Sequence, residues 1–201
     1  MLRLIFCLLT LPGLARADIP VEAYQYRQDM IQSAWRTFGP DAPVAVLGAQ
    51  IHQESAWKLR AKSWAGAEGL SQFMPATAAD MAKRFPNECA PANPYSAQWA
   101  FRCRDRYLQT LIRASRTECT RECDEWAFGL RAYNGGKKWA DRDRALAESF
   151  GADPDRWREV TPFNSGRRES AWRENTEYPV RIFRRSGAYT AWGRDLICLG
   201  D

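Results

Sequence analysis

Apolar residues recur along most of this chain at the three-to-four-residue spacing of a helix, and glycines and prolines punctuate the pattern. Ala23, Tyr26, Met30 and Ala34, flanked by Tyr24, Ile31, Trp35 and Phe38, predict a first helix after Pro20 that ends around Gly39-Pro40. Asp41 is placed to cap a second helix, with Pro43 in its first turn. In that helix Val44, Leu47 and Ile51 form an apolar stripe, and Glu54, three residues on, shares its face, so the carboxyl group is aimed inward. Pro75 opens a third helix through Phe85, which Pro86-Asn87 stops. A loop with Cys89, Pro91 and Pro94 leads to a long helix from about Ser96, with Ala100, Cys103, Tyr107, Leu108, Leu111 and Ile112 on its buried side. A shorter helix through Trp126, Ala127, Leu130 and Tyr133 stops at Asn134-Gly135-Gly136, because glycine accepts the left-handed conformation of a helix end. From Lys137 to Arg167 the chain is polar and broken by Pro154, Pro162 and Gly166, which predicts short helical pieces joined by loops. Ala171, Trp172, Asn175 and Tyr178 then fall at helical spacing until Pro179, which biases Tyr178 away from the α region and starts or kinks a new helix. There is no internal repeat, low-complexity segment or alternating strand pattern beyond what a small hairpin needs. The fold class expected is mainly α.

The start of the chain is set apart. Arg3 gives it a basic beginning, Leu4 to Leu14 an apolar core, and Ala15-Arg16-Ala17 a small-residue cleavage site, the pattern of a secretory signal peptide over residues 1–17. The apolar run is shorter than the ~20 residues that span a bilayer. Cys7 lies within it, and Leu4-Ile5-Phe6-Cys7 lacks the small residues that precede a lipidated cysteine. No later segment reads as a transmembrane helix, so the expectation is a periplasmic or secreted protein with no stable membrane insertion, its residues 18–201 forming one domain.

The formal charge of +5 includes Arg3 and Arg16, leaving +3 on the exported chain, spread without a long basic run. A mild positive bias suits an anionic wall polymer and falls far short of the basic stripe of a nucleic-acid binder, so no nucleic-acid partner is expected. Five cysteines remain after cleavage: Cys89, Cys103, Cys119, Cys123 and Cys198. Export permits disulfides. Local pairing of Cys89 with Cys103 and of Cys119 with Cys123 leaves Cys198 free, although sequence leaves the connectivity open. Cys119-x3-Cys123 has no second ligand pair and the chain has one histidine, so neither a metal site nor a cofactor is expected.

Chemistry concentrates after Glu54. A carboxyl group turned inward at the end of a helix has its charged form disfavoured, stays protonated toward neutral pH and can serve as a general acid. Glu54-Ser55, Ser63, the run Gly66-Ala67-x-Gly69-Leu70-x-Gln72-x-Met74-Pro75-x-Thr77, and the distant Ala132-Tyr133-Asn134-Gly135-Gly136 together resemble the soluble lytic transglycosylase family, glycoside hydrolase family 23. The likeness extends more weakly from about Val44 to Phe183. It includes Arg173-Glu174-Asn175-Thr176-Glu177-Tyr178-Pro179, similar to a third family motif in the form of phage- and prophage-associated members.

The resemblance implies a single lysozyme-like helical domain with a substrate cleft. It also implies cleavage of the β-1,4 bond between N-acetylmuramic acid and N-acetylglucosamine in peptidoglycan glycan strands. Glu54 matches the single catalytic acid and base: its proton goes to the glycosidic oxygen, the substrate's N-acetyl group shields the oxocarbenium-like centre, and the carboxylate then takes the proton of the muramic C6 hydroxyl. That hydroxyl attacks C1, giving a 1,6-anhydro product without water. By the same likeness Ser63 lies near the acetyl group and Gln72 hydrogen-bonds the glycan. Tyr133 packs along the substrate, Asn134 contacts sugar or backbone, and Tyr178 orients Glu54. Association with a wall-spanning or phage-related assembly is the partner this likeness suggests.

Plainer readings stand beside these. Gly66 and Gly69 serve any turn needing positive φ, Ser63 is a capping hydroxyl, Gln72 a loop-to-helix cap, and Tyr133 and Asn134 a core aromatic and a helix stop. Glu68 is expected as a solvated turn residue, and His52, about 200° around the helix from Glu54, as structural or surface-lying. Trp57 and Trp64 flank the site and can stack on sugars, with core packing the commoner fate of a tryptophan. Ser71 and Lys58-Leu59 depart from the family's Met and Asn-Pro, which implies an altered lining near Glu54, and Asn175 replaces a family threonine. A two-acid hydrolase would need a second carboxylate, ~5 Å from Glu54 for retention or further for inversion; the sequence leaves Asp80, Asp105 and Asp124 open for that role, none of them within a recognisable motif. A hydrolytic muramidase of goose-lysozyme type and a wall-binding protein without catalysis are therefore the alternatives to a lytic transglycosylase.

Overall fold

The computed structural model describes residues 18–118 and 120–199. A 3-10 segment, Val21–Tyr26, leads into α1 (Arg27–Phe38), followed by α2 (Val44–Ser55), α3 (Pro75–Arg84), α4 (Pro86–Cys89), α5 (Ala97–Ser115) and α6 (Glu122–Gly135). Then come α7 (Lys137–Ser149), α8 (Trp157–Val160), α9 (Glu169–Ser186) and a closing 3-10 segment, Gly187–Trp192. Among the described residues extended pairing is confined to two isolated bridges, Lys62 with Glu68 and Glu68 with Phe73. The leader expected at residues 1–17 lies outside the described residues, and so does Cys119.

Two helices organise the core. Every residue of α2 from Val44 to Ile51 is buried, against α9 and the closing segment. α5 packs between α1 and α6, burying Ala100, Cys103, Leu108, Leu111 and Ile112 of its predicted stripe. α9 also lies on α6, so α2, α5, α6 and α9 surround one polar interior. Ser96 caps α5 by accepting from the Trp99 N–H at 3.4 Å, at the start the sequence predicts.

Three local expectations are corrected. Asp41 makes no cap. The first turn of α2 is instead satisfied by backbone, the Val44 N–H donating to the Ala42 carbonyl at 2.8 Å and the Ala45 N–H to the Arg194 carbonyl at 3.0 Å. α3 ends at Arg84 before Pro86, as expected, and Pro86 in addition opens the single turn of α4, as proline does at a first helical position. The polar stretch after Lys137 contains a continuous 13-residue helix, α7, because Ala140, Asp143 and Ala147 form a narrow buried face whose middle member is charged. Pro179 lies inside α9, which runs through it unbroken: Tyr178, Pro179, Ile182 and Phe183 are buried, and that packing outweighs the lost backbone bond.

Cysteine pairing is half as expected. Cys89 bonds Cys103 and ties α4 to α5. Cys123 bonds Cys198 rather than Cys119, because α6 begins at Glu122 and turns Cys123 toward the C-terminal segment. No described helix is long and apolar enough to cross a membrane.

Candidate active site

A cleft of about 430 Å³ brings together Glu54, Ser63, Gln72, Tyr133, Asn134 and Tyr178, the six side chains singled out from the sequence. Four parts of the fold supply them: the end of α2, the loop between α2 and α3, the end of α6, and α9. Trp64, Met74, Tyr107, Glu174 and Arg181 line it too.

Glu54 owes its position to an abrupt helix end. Ala56 and Trp57 follow with φ of 49° and 64°, two successive left-handed residues without glycine, a conformation that tertiary structure must hold in place. Trp57 supplies the hold. It is 1% exposed, stacks on Tyr26, meets Trp192 edge-on, and donates from Nε1 to the Tyr189 hydroxyl at 2.7 Å. It is therefore a core residue, and the chain turns away from the helix axis at Ser55 while Glu54 stays at the cleft wall.

The Glu54 carboxyl accepts a short hydrogen bond on Oε1 from the Tyr178 hydroxyl. Burial raises its pKa to about 7, against the opposing effects of that hydrogen bond and of the buried Arg104, and with a small push from Glu174. The group is thus poised between donor and acceptor near neutrality, the condition for acting as acid in one step and base in the next. Tyr178 is buried and its pKa lies well above the ordinary phenol value, so it stays a hydroxyl.

The loop presents polar atoms in fixed directions. Ser63 Oγ accepts from the Ala67 N–H at 2.9 Å, which leaves its own hydrogen for the cleft. It is a turn cap and a cleft residue together. Gln72 sits at φ 47° and donates from Nε2 to the Gly69 carbonyl at 2.9 Å, leaving Oε1 as its free acceptor. Gly69, at φ 76°, approaches the Pro94 carbonyl so closely that a Cβ would lie 1.8 Å from that oxygen, so glycine is required by space as well as by conformation.

At the end of α6 the Tyr133 hydroxyl donates to the Ser71 carbonyl at 2.8 Å, and its ring meets Phe73 and Tyr107. Asn134, exposed beside it, is held from behind: Asn175 Nδ2 donates to Asn134 Oδ1 at 3.3 Å and to the Arg131 carbonyl at 2.6 Å. Asn175 also accepts from Arg167 at 2.6 Å, and Arg167 and Arg131 both pair with the buried Asp143. The residue that departs from the family pattern is therefore the peg joining α9 to the end of α6.

The rival carboxylates lie elsewhere. Asp105 is buried against Arg104, Asp124 is buried under Arg121 and Arg156, Asp80 is exposed beside Arg84, and Glu68 pairs with Lys62 at 3.0 Å. His52 Nδ1 lies 3.0 Å from the Tyr189 hydroxyl, facing away from the cleft. Ser71 is buried and donates to the Ala100 carbonyl at 3.1 Å, and Leu59 packs on the core, so neither of these side chains lines the cleft. Sequence reasoning passed over Glu174 as a cleft carboxylate and Arg181 as its cationic neighbour. The helical spacing of Glu174, Tyr178 and Arg181 on one side of α9 carried that signal.

An open cleft in a helical domain, walled by one glutamate that titrates near neutrality, is the arrangement of the lysozyme-like class. The chain matches the family model for the transglycosylase SLT domain over residues 36–156, more than half its length, and it belongs to that family. It is 30% identical over 133 residues to a membrane-bound lytic murein transglycosylase F of Stutzerimonas stutzeri (strain A1501), covering 66% of this chain and 26% of that protein. A protein of the same name from Marinobacter nauticus is also 30% identical over 133 residues, with 66% and 25% covered. The chain thus spans about a quarter of the length of these curated relatives. The crystal structure of the 70 kDa soluble lytic transglycosylase from Escherichia coli shares the fold, with a TM-score of 0.59 at 22% identity over 84% of this chain and 25% of that one.

Proposed function

We propose that this chain is a peptidoglycan lytic transglycosylase, cutting the glycan between N-acetylmuramic acid and N-acetylglucosamine and closing a 1,6-anhydro ring on the muramic residue. The observation that carries this reading is the Glu54 carboxyl in the cleft wall, with a pKa of about 7 and Tyr178 on one oxygen. One group near its midpoint at neutral pH can give a proton to the leaving oxygen and then take one from the C6 hydroxyl. Gln72 Oε1 and the Ser63 hydroxyl offer an acceptor and a donor to an N-acetyl group, while Asn134 and Tyr133 hold the strand beyond it.

Trp64 adds to the binding face. It is wholly exposed at the cleft, at the tip of a turn closed by the Gly66 N–H on the Ser63 carbonyl at 3.0 Å. An indole left bare on a pinned turn offers its face to the C–H side of a pyranose. Export to the periplasm through the leader at residues 1–17, and work on the wall or beside a wall-spanning or phage-related assembly, complete this reading.

A hydrolytic muramidase is the second reading, favoured by Glu174, an exposed carboxylate lining the same cleft. Glu54→Gln and Glu174→Gln separate the two on purified cell walls. Under the transglycosylase reading Glu54→Gln loses activity by about 10²-fold or more, as expected for removal of a general acid, while Glu174→Gln retains most of it. Equal loss from both variants would favour the hydrolase, and full activity of Glu54→Gln would end the catalytic assignment.

A further inference from the structure

Behind the acid, a chain of polar side chains crosses the interior of the domain. Tyr178 accepts from Gln50 Nε2 at 3.4 Å. Gln50 Oε1 accepts from Arg104 Nη1 at 3.1 Å, and the same nitrogen donates to the Leu47 carbonyl at 3.0 Å. Arg104 Nε lies 2.8 Å from Asp105 Oδ1, and Asp105 Oδ2 accepts from the Ser33 hydroxyl at 2.6 Å. Gln50, Arg104 and Asp105 are each 0% exposed. An ion pair so deeply buried is weak evidence of stabilisation, because desolvation offsets most of the attraction. It does, however, fix direction.

A guanidinium has donors and no acceptor. Facing Arg104, the Gln50 amide must turn its oxygen to the guanidinium and its NH₂ group to Tyr178. The Tyr178 oxygen then receives a hydrogen from Gln50, and its own hydrogen is sent to Glu54 Oε1. Among the described residues nothing donates to the other carboxyl oxygen, Oε2. We propose that Arg104, acting through Gln50 and Tyr178, is a positioning residue that fixes the polarity of this chain, so that Glu54 carries its catalytic proton on Oε2 and keeps Oε1 for the tyrosine. A protonated Oε1 would leave the Tyr178 hydrogen on a hydroxyl oxygen, a far poorer acceptor than a carbonyl oxygen, and the NH₂ group of Gln50 offers Tyr178 no other acceptor. The proton that leaves in the first step is thus always on the same oxygen. The Tyr178 bond remains to steady the carboxylate formed.

The catalytic meaning rests on the reading of Glu54 as general acid, but the geometry is testable without turnover. Neutron diffraction from deuterated crystals of the full chain, grown below the Glu54 midpoint, should place deuterium on Glu54 Oε2 and on Tyr178 Oη directed at Oε1. Deuterium on Oε1, or a Tyr178 deuterium directed at Gln50, would overturn the proposal.

A solution test reverses the chain. In Gln50→Glu a carboxylate paired with Arg104 only accepts, so the Tyr178 hydrogen turns away from Glu54. The Glu54 midpoint, read by carbon-13 NMR of labelled glutamate and assigned by its loss in Glu54→Gln, should rise by about one unit or more. In a Tyr178→Phe background the same substitution should raise it by less than about half as much, since only the added charge remains. The other groups around Glu54 stay constant across this set: Glu174 and Arg181 of α9, Asp105 and Tyr107 of α5, and Tyr133 of α6. Equal shifts in both backgrounds would show that Gln50 acts by charge alone and sink the proposal. Muropeptide release by the wild-type chain is a separate readout, so failure of the functional reading and failure of the relay are told apart.

Discussion

At the scale of single residues, the proposed role of Glu54 ties rate and stability to one titration. Because the first step needs the protonated acid, kcat/KM should fall as pH rises through about 7, and a pH profile on soluble glycan fragments checks it. The same shift works against the fold. Above the ordinary value of 4.5 an unfolded Glu54 gives up its proton while the folded one keeps it until about 7, so native stability declines across that window. The amount is on the order of 3 kcal/mol. Glu54→Gln should therefore raise the urea midpoint at pH values above 7 and leave it nearly unchanged below 4.5, the reverse of what loss of a stabilising carboxylate would give. Trp64→Ala should raise KM by up to about tenfold with little change in kcat, and Trp64→Phe should recover much of the loss. An unchanged KM would remove Trp64 from the binding face. The inward direction of Glu54 was legible because Val44, Leu47 and Ile51 share its helical face. What was not legible was Arg104, which reaches the acid only across an interface between α2 and α5.

Among the elements, α2 and α6 end in ways that serve the cleft. Gly135 closes α6 where a Cβ would lie 2.3 to 2.8 Å from the Asn175 amide, the peg that holds Asn134. Gly135→Ala should cost about 1–3 kcal/mol in chemical denaturation and lower activity further by displacing Asn134. Gly136→Ala, at φ 86° in open space, should cost less and leave kcat nearly intact. The glycine stop after Tyr133 could be read from the sequence, but the reason Gly135 cannot vary lies in α9, some forty residues away. α7 shows the same limit from another side. Its buried face is Ala140, Asp143 and Ala147, and a charged residue at the centre hid a helix that Arg131 and Arg167 make possible. Pro179 misled because local bias is small beside the burial of Tyr178, Ile182 and Phe183.

Over the whole molecule, the cleft exists because α2, α6 and α9 converge, and the bond from Cys123 to Cys198 ties the start of α6 to the C-terminal segment that covers the first turn of α2. It closes 75 residues, for which loop entropy gives roughly 4 kcal/mol. Cys198→Ala should lower the melting temperature without changing the Glu54 pH profile. The helical class was accessible from periodicity and the six cleft residues from three motifs that resemble a known family, whereas this pairing was not, since it depends on where the C-terminal segment docks. If one carboxyl group serves both steps, the muramic C6 hydroxyl rather than water captures C1. Mass spectrometry of muropeptides released from purified peptidoglycan tests it most directly. The wild-type chain should release fragments one water lighter than their hydrolysed counterparts and Glu54→Gln should release none, whereas reducing-end products from the wild-type chain would show that water captures C1 and rule out the transglycosylase reading.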